Sequence, residues 1–315
     1  MDRPPITRVA TVGTGVIGAS WTSCFLARGL DVVATDPARG AEDRLRADVE
    51  AHWPALGRLG LADGASPDRL RFTTDVEEAV AGAQFVQESG PEREELKQAL
   101  FATLDAATGP DVVLASSSSG LLPTRIQEAC ERHPDRVLVG HPFHPAHLVP
   151  LVEVVGGERT DDAAIERAIA FYEDVGKRPI RVRAELPGHL ANRLQAALWR
   201  EAYSLVDRGV ATVADIDTAI AHGPGLRWAL LGPFVLQHLS GGPEGLAHTL
   251  EHLGPPMVDW WQAMSTPDFT PELIAAAVSG VDQELASVDQ DAMVAERDRL
   301  LIDLLAAKAA AEHLP

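Results

Sequence analysis

The chain opens on a short β-rich run, Arg8-Val9-Ala10-Thr11-Val12, which breaks at Gly13 and passes into apolar positions at helical spacing over residues 16–28. A second apolar run, Asp31-Val32-Val33-Ala34-Thr35, ends at Asp36. Strand, turn, helix and strand are therefore complete within about thirty residues. Residues 38–70 alternate charged and apolar positions at helical spacing and read as a helix or a helical pair, with Pro54 and Gly57 as breaks. Further strands are predicted at 84–87, 111–115, 136–139, 151–155 and 179–183, with helical stretches at 92–107, 123–132 and 161–176 between several of them. This alternation is the pattern of an α/β doubly wound sheet of Rossmann type.

From Pro187 onward the β signal stops, and the pattern becomes helices punctuated by Gly and Pro. The segment 188–208 is long and amphipathic, 210–222 carries Asp215 and Asp217 near a helix start, and the tail 284–311 is alanine-rich and apolar at helical spacing. The expected organisation is a Rossmann domain over residues 1–186 followed by an all-α C-terminal domain over 187–315. A length of 315 residues agrees with two domains, since single cores stop growing near that size.

The formal net charge of −19 argues against nucleic acid or an anionic membrane as partner, because a negative field repels polyphosphate surfaces. Only Lys97, Lys177 and Lys308 are lysines, so local cationic sites must be built almost entirely from arginine. Cys24 and Cys130 match no metal or redox spacing, which fits a reducing compartment. No apolar run approaches the length of a membrane span, and the N-terminus enters a strand quickly after a Pro pair. The expected location is the cytoplasm.

Gly13-Thr14-Gly15-Val16-Ile17-Gly18 is a G-x-G-x-x-G that follows a strand, opens a helix and is succeeded by an acidic residue at the end of the next strand. That context, more than the glycines, makes it a dinucleotide fingerprint. Gly13 permits the tight turn, Gly15 lets the backbone approach a pyrophosphate, and Gly18 allows close helix-to-sheet packing, while the helix N-terminus favours the negative charge. Val16 and Ile17 complete the loop. Asp36 is expected to bond the adenosine ribose and to repel a 2′-phosphate, so NAD is expected over NADP, with Arg39 close enough to soften the preference.

The second informative region is His141-Pro142-Phe143-His144-Pro145, followed by Leu151-Val152-Glu153-Val154-Val155. A buried imidazole paired with a carboxylate can take an alcohol proton while hydride leaves. On these residues, and on the fingerprint, the chain resembles the 3-hydroxyacyl-CoA dehydrogenase superfamily. The likeness extends to Glu88 and Glu92 in Gln-Glu-Ser-Gly-Pro-Glu, to Ala-Ser-Ser-Ser-Ser-Gly at 115–120, to Pro-Gly-His-Leu-Ala-Asn-Arg at 187–193, and to Gly232-Pro233-Phe234. The resemblance implies His141 as catalytic base, Glu153 as its partner, Ser119 and Asn192 as residues that hold the substrate oxygen, and Glu92 and Lys97 on the cofactor side. Ser117 stands where that family commonly has asparagine, and His144 replaces the asparagine of its His-x-Phe-Asn-Pro.

Plainer readings exist for several of these residues. His141, His144 and His147 share a three-residue spacing, but Pro142 and Pro145 preclude a helix that would align them, and no metal is expected. Ser116 to Ser119 can be a polar loop, and Asn192 a helix-start residue. Residues 38–70, where acyl-CoA members often carry lysines that meet the coenzyme, contain none here but keep five arginines. The stretch Gly223 to Phe234, with Arg227-Trp228, resembles the free-acid branch: most closely the L-carnitine dehydrogenases, less closely the L-gulonate dehydrogenase and lambda-crystallin group. An arginine beside an aromatic suits a free carboxylate, and a trimethylammonium group binds best against aromatic faces. Trp199, Trp228, Trp260, Trp261, Phe143 and Phe234 are available for that, although tryptophans in a helical domain also serve as core or dimer contacts, and Arg227 can pair with a nearby acid. The expected activity is NAD-dependent oxidation of a small 3-hydroxy acid by a homodimer. The alternatives are a 3-hydroxyacyl-CoA substrate, L-gulonate, or a crystallin-like NAD-binding protein without catalysis.

Overall fold

The computed structural model describes residues 5–314. Eight strands form one sheet: β1 (Arg8–Val12), β2 (Asp31–Thr35), β3 (Leu70–Thr73), β4 (Phe85–Glu88), β5 (Val113–Ser116), β6 (Val137–Pro142), β7 (Leu151–Gly156) and β8 (Arg178–Val182). Their order is β3-β2-β1-β4-β5-β6-β7-β8, and every pairing is parallel except β6 with β7. Six helices accompany the sheet: α1 (Val16–Ala27), α2 (Ala41–Leu59), α3 (Val76–Val80), α4 (Glu94–Ala107), α5 (Pro123–Gln127) and α6 (Asp162–Asp174). Parallel strands covered on both faces need apolar side chains on both, which is why β4, β5 and β6 are buried along their whole length.

Two clusters make the core, one on each face of the sheet. On the first, Trp21 and Phe25 of α1 stack on each other, with ring centres 5.2 Å apart, and Trp21 stacks on Tyr172 of α6 at 5.5 Å. On the second, Phe101 and Leu104 of α4 pack with Val86, Leu114 and Val139 of the central strands. Helix α1 is buried on nearly every side from Gly18 to Ala27, so its sequence shows little amphipathic contrast.

The expected doubly wound sheet is present, with local differences. Of the helix or helical pair expected over 38–70, the structure has one uninterrupted helix, 41–59, running through Pro54 and Gly57. Pro54 lies inside this helix at an exposed position. Strand β3 and helix α3 lie between that helix and β4 and escaped the hydrophobic pattern, because four residues of Leu-Arg-Phe-Thr offer only one buried position. The helical stretch expected at 123–132 is also shorter, ending at Gln127.

The chain divides into two compact units, the first ending at Arg193 and the second beginning at Leu194. Helix α7 (Ala191–Asp207) starts just before that division. The second unit holds the rest of α7, α8 (Val213–Ala221), α9 (Pro224–Trp228), α10 (Pro233–Ser240), α11 (Gly245–Ala263), α12 (Pro271–Glu284) and α13 (Gln290–Ala309). Asp215 does act at a helix start: Thr212 and Asp215 form a reciprocal capping box on α8. Lys308 near the end of α13 donates to the carbonyl of Ala229 just after α9, at 2.7 Å. No helix among the described residues is long and apolar enough to cross a membrane.

Candidate active site

The fingerprint glycines are constrained in three different ways. Gly13 has φ of 86°, and a Cβ there would lie 2.8 Å from the backbone of Ser89 and Gly90, beyond the end of β4. A Cβ on Gly18 would lie 1.9 Å from the Gly13 carbonyl oxygen, so the helix can approach the turn only with glycine. At Gly15 a Cβ would meet nothing within 4 Å. That residue is the N-cap of α1, with no side-chain cap and no acidic residue in the first turn. The first backbone N–H groups of α1, at Val16 and Ile17, therefore face an open space that suits an anion, as a pyrophosphate requires.

Asp36, just past β2, accepts the N–H of Thr14 at 2.9 Å through Oδ2 and the N–H of Ala38 at 2.8 Å through Oδ1. It thus braces the glycine loop and keeps lone pairs for a ribose diol. These features fit a bound NAD.

Lys97 sits deeper than a residue lining an open cleft. Its side chain is 2% exposed, and its ammonium donates to both oxygens of the fully buried Glu88, at 2.8 and 2.9 Å, and to the Gly90 carbonyl. Glu88 in turn accepts the Ser116 hydroxyl at 2.6 Å. The pair locks the ends of β4 and β5 together beneath the glycine turn. Glu92 is exposed and clasps the following loop: its Oε1 accepts the Ser118 hydroxyl and the N–H groups of Gly120 and Leu121. Burial pushes the Glu92 carboxyl up, but the Ser118 and Gly120 bonds and the Lys97 charge outweigh it and leave it below its ordinary value. Ser117, in the place of asparagine, is bonded to Gln87 at 2.8 Å and Ser89 at 2.9 Å.

The His141–Glu153 pair is a product of sheet register. β6 and β7 are antiparallel, and His141 stands directly opposite Glu153, so both side chains project from the same face. His141 Nδ1 lies 2.8 Å from Glu153 Oε2, with Glu153 fully buried and His141 7% exposed. A carboxylate only accepts, so Nδ1 carries the proton and Nε2 presents a lone pair. Oε1 of Glu153 accepts the N–H groups of Leu190 and Ala191, at 2.8 and 2.9 Å, where α7 begins. Burial alone would raise the Glu153 carboxyl; the bonds from His141, Ala191 and Leu190 overcome it and hold the group ionised.

Around this pair, Phe143 stands edge-on to the His141 ring, with centres 5.2 Å apart. Ser119 is exposed at the loop after β5, and Asn192 Nδ2 approaches its carbonyl oxygen at 3.5 Å. Asn192 is the second residue of α7 and turns its amide toward the serine loop, so it does not act as a helix cap. The three histidines of the region diverge. His144 is exposed and precedes a cis proline, while His147 stacks on His52 with centres 3.8 Å apart and meets the Ser20 hydroxyl.

Arg227 and Trp228 end helix α9 in the second unit, both exposed, and Arg227 has no carboxylate partner among the described residues. The pattern of apolar residues gave no sign of two contributors to the site. The Leu190 and Ala191 N–H groups are backbone, and His189 was visible only as an unremarked member of Pro-Gly-His-Leu-Ala-Asn-Arg. The Gly188 beside it was the available clue, since glycine before a helix marks an unusual backbone turn.

The glycine loop after β1 and His141 near the end of β6 both lie at the C-terminal ends of the parallel strands, one open to a pyrophosphate and the other paired with Glu153. Residues 8–185 match the NAD-binding domain of 3-hydroxyacyl-CoA dehydrogenase, and residues 188–275 match the C-terminal domain of the same enzymes. The chain belongs to the 3-hydroxyacyl-CoA dehydrogenase family. As a member it is an NAD-dependent oxidoreductase, and NAD is its cofactor. Within the family it is 53% identical, over 96% of its length and 95% of the relative's, to an L-carnitine dehydrogenase of Streptomyces coelicolor. It is 46% identical, over 97% of its length and 93% of the relative's, to an L-carnitine dehydrogenase of Bacillus cereus. Among solved structures it is similar to 5-formyl-3-hydroxy-2-methylpyridine 4-carboxylic acid 5-dehydrogenase, described as an NAD+-dependent dismutase. That likeness has a TM-score of 0.84 and 29% identity, and covers 98% of this chain and all of that one. A (S)-3-hydroxybutyryl-CoA dehydrogenase of Ralstonia eutropha matches with a TM-score of 0.63 and 26% identity, over 81% of this family member and 88% of that chain.

Proposed function

We propose that this dehydrogenase oxidises the 3-hydroxyl of L-carnitine to the ketone, with His141 as general base. The observation that carries the substrate is the full-length likeness, at 46–53% identity, to L-carnitine dehydrogenases. Arg227, exposed and without an acidic partner among the described residues, supports it by offering a fork for a free carboxylate.

The His141 Nε2 lone pair takes the hydroxyl proton, and the Glu153 charge steadies the imidazolium that results. Bound NAD supplies the acceptor for the hydride that leaves the carbinol carbon. Ser119 and Asn192 hold the oxygen as its bond order rises, and Phe143 shields the imidazole edge. Gly13, Gly15, Val16, Ile17, Gly18 and Asp36 bind the cofactor, with Glu92 shaping the loop beside it and Lys97 acting from behind through Glu88. In the second unit, Arg227 offers the chemistry that binds a carboxylate and Trp228 the chemistry that binds a trimethylammonium group. A cytoplasmic location suits this chemistry.

The working form is a homodimer. In the second unit Trp199, Tyr203, Val278 and Val281 line an open cavity of about 440 Å³, and Trp260, Trp261 and Phe269 are each more than half exposed. Apolar surface of this extent on helices suits a second copy.

The test is initial-rate NADH formation with L-carnitine, L-gulonate and L-3-hydroxybutyryl-CoA at equal concentration. Fastest turnover is expected with L-carnitine; faster turnover of the thioester or of gulonate sinks the assignment. Light scattering at micromolar concentration should give twice the chain mass, and a monomer removes the dimer.

A further inference from the structure

Residues 188–192 touch both halves of the catalytic site. Gly188 and His189 lie in succession in the left-handed region, with φ of 76° and 47°, and His189 is the one non-glycine residue there among the described residues. Non-glycine residues are uncommon there, histidine with asparagine and aspartate being among those that accept it most readily, and such positions cluster at functional sites. The turn aims the N–H groups of Leu190 and Ala191 at Glu153 Oε1.

The His189 side chain goes the other way. It is fully buried, and its Nε2 lies 3.0 Å from the carbonyl oxygen of Ser118, the residue before Ser119. The carbonyl can only accept, so Nε2 carries the proton, and Nδ1 is a buried acceptor with no partner among the described residues. The ring centre is 5.4 Å from that of His141. Space-filling needs no donor at this position, and a left-handed turn needs no imidazole.

We propose that His189 is a positioning residue: its Nε2–H pins the Ser118 carbonyl and so registers Ser119 against the His141–Glu153 pair. The backbone it adopts supplies the two N–H groups that hold Glu153. Burial, the largest influence, together with the nearby His141, keeps the imidazole below its ordinary value against the opposing pull of the Ser118 carbonyl, Glu153 and Glu92. The ring is neutral in the working range and adds no positive charge beside the base. The proposal rests on the reading of His141 as base.

Three variants separate positioning from packing. His189→Phe keeps a ring and loses the donor; His189→Gln restores a donor at similar reach; His189→Asn tolerates the left-handed backbone but is too short to reach Ser118. Each is assayed with NAD and whichever of the three hydroxy compounds above turns over fastest, alongside NAD affinity and thermal midpoint. The Phe and Asn variants should lose roughly 10–100-fold in kcat, the scale of a misplaced reacting group, with NAD affinity within twofold of wild type. The Gln variant should recover most of the loss. Wild-type kcat in a folded Phe variant, or equal losses in Gln and Asn, overturns the proposal, and the Gln–Asn comparison decides it if the Phe variant fails to fold. His141→Asn is measured in parallel. If it retains turnover, the base assignment itself falls; if it is inactive while the His189 variants are unimpaired, only the positioning role falls.

Discussion

Replacing Glu153 by glutamine keeps the volume of a fully buried side chain, removes its charge and leaves it little choice of orientation. The position of Oε1 faces two donors, the N–H groups of Leu190 and Ala191 at 2.8 and 2.9 Å. An amide NH2 there would oppose both, so the amide oxygen must occupy it and the NH2 must face His141 Nδ1. The imidazole then becomes an acceptor at Nδ1 and carries its proton on Nε2, the nitrogen that should receive the alcohol proton. Loss of general-base action is worth about 10²–10⁴-fold in kcat, or about 3–5 kcal/mol at roughly 1.4 kcal/mol per tenfold. NAD affinity should hardly move, because the fingerprint lies on other strands. The assay is initial-rate NADH formation with the preferred substrate, with NAD titrated by fluorescence. A folded Glu153→Gln enzyme with kcat within about fivefold of wild type would refute the claim that this pair sets the tautomer of the base.

Three further outcomes follow from the same geometry. Gly15→Ala should leave the thermal midpoint unchanged while raising the KM for NAD about tenfold or more, whereas Gly18→Ala should lower the midpoint, since its Cβ would sit 1.9 Å from the Gly13 oxygen; scanning calorimetry and NAD saturation curves read the two apart. Lys97→Met strands the buried Glu88 carboxylate and should destabilise the first unit by about 3–5 kcal/mol, seen as an earlier urea transition. Glu153 and Glu92 both titrate below their ordinary value of 4.5 when folded, so they contribute stability above about pH 4.5 that is lost as pH falls through the lowered values. Urea midpoints should therefore drop below pH 4.5 in wild type, and less steeply in Glu153→Gln.

What the sequence made legible follows how local each signal is. The β1-turn-α1 fingerprint and Asp36 lie within thirty residues of one another, and each glycine has its own steric reason, so pattern and structure coincide there. The pairing of His141 with Glu153 is a register between antiparallel strands joined by a connection of eight residues, Phe143 to Pro150. The family resemblance supplied that pairing; alternation alone does not fix register across such a connection. β3 was missed because a strand at the sheet edge buries few side chains, and Pro54 left a single helix and a helical pair both open where the structure has one helix.

The residues that sequence reasoning undervalued act by holding other residues. Lys97 acts through Glu88, the Gly90 carbonyl and the charge of Glu92, Glu88 through Ser116 and the turn at Gly90, and Glu92 through Ser118 and the backbone of Gly120 and Leu121. Glu153 works on both sides, orienting His141 with one oxygen and seating the first N–H groups of α7 with the other. A carboxylate that serves both the base and a helix start couples catalysis to the placement of residues 189–192, which carry Asn192 toward Ser119. Substitutions in this short segment should therefore change kcat without touching the substrate's own chemistry. The same coupling accounts for the density of roles in residues 189–192: the histidine meets the Ser118 carbonyl, two backbone N–H groups meet Glu153, and the asparagine approaches the Ser119 carbonyl.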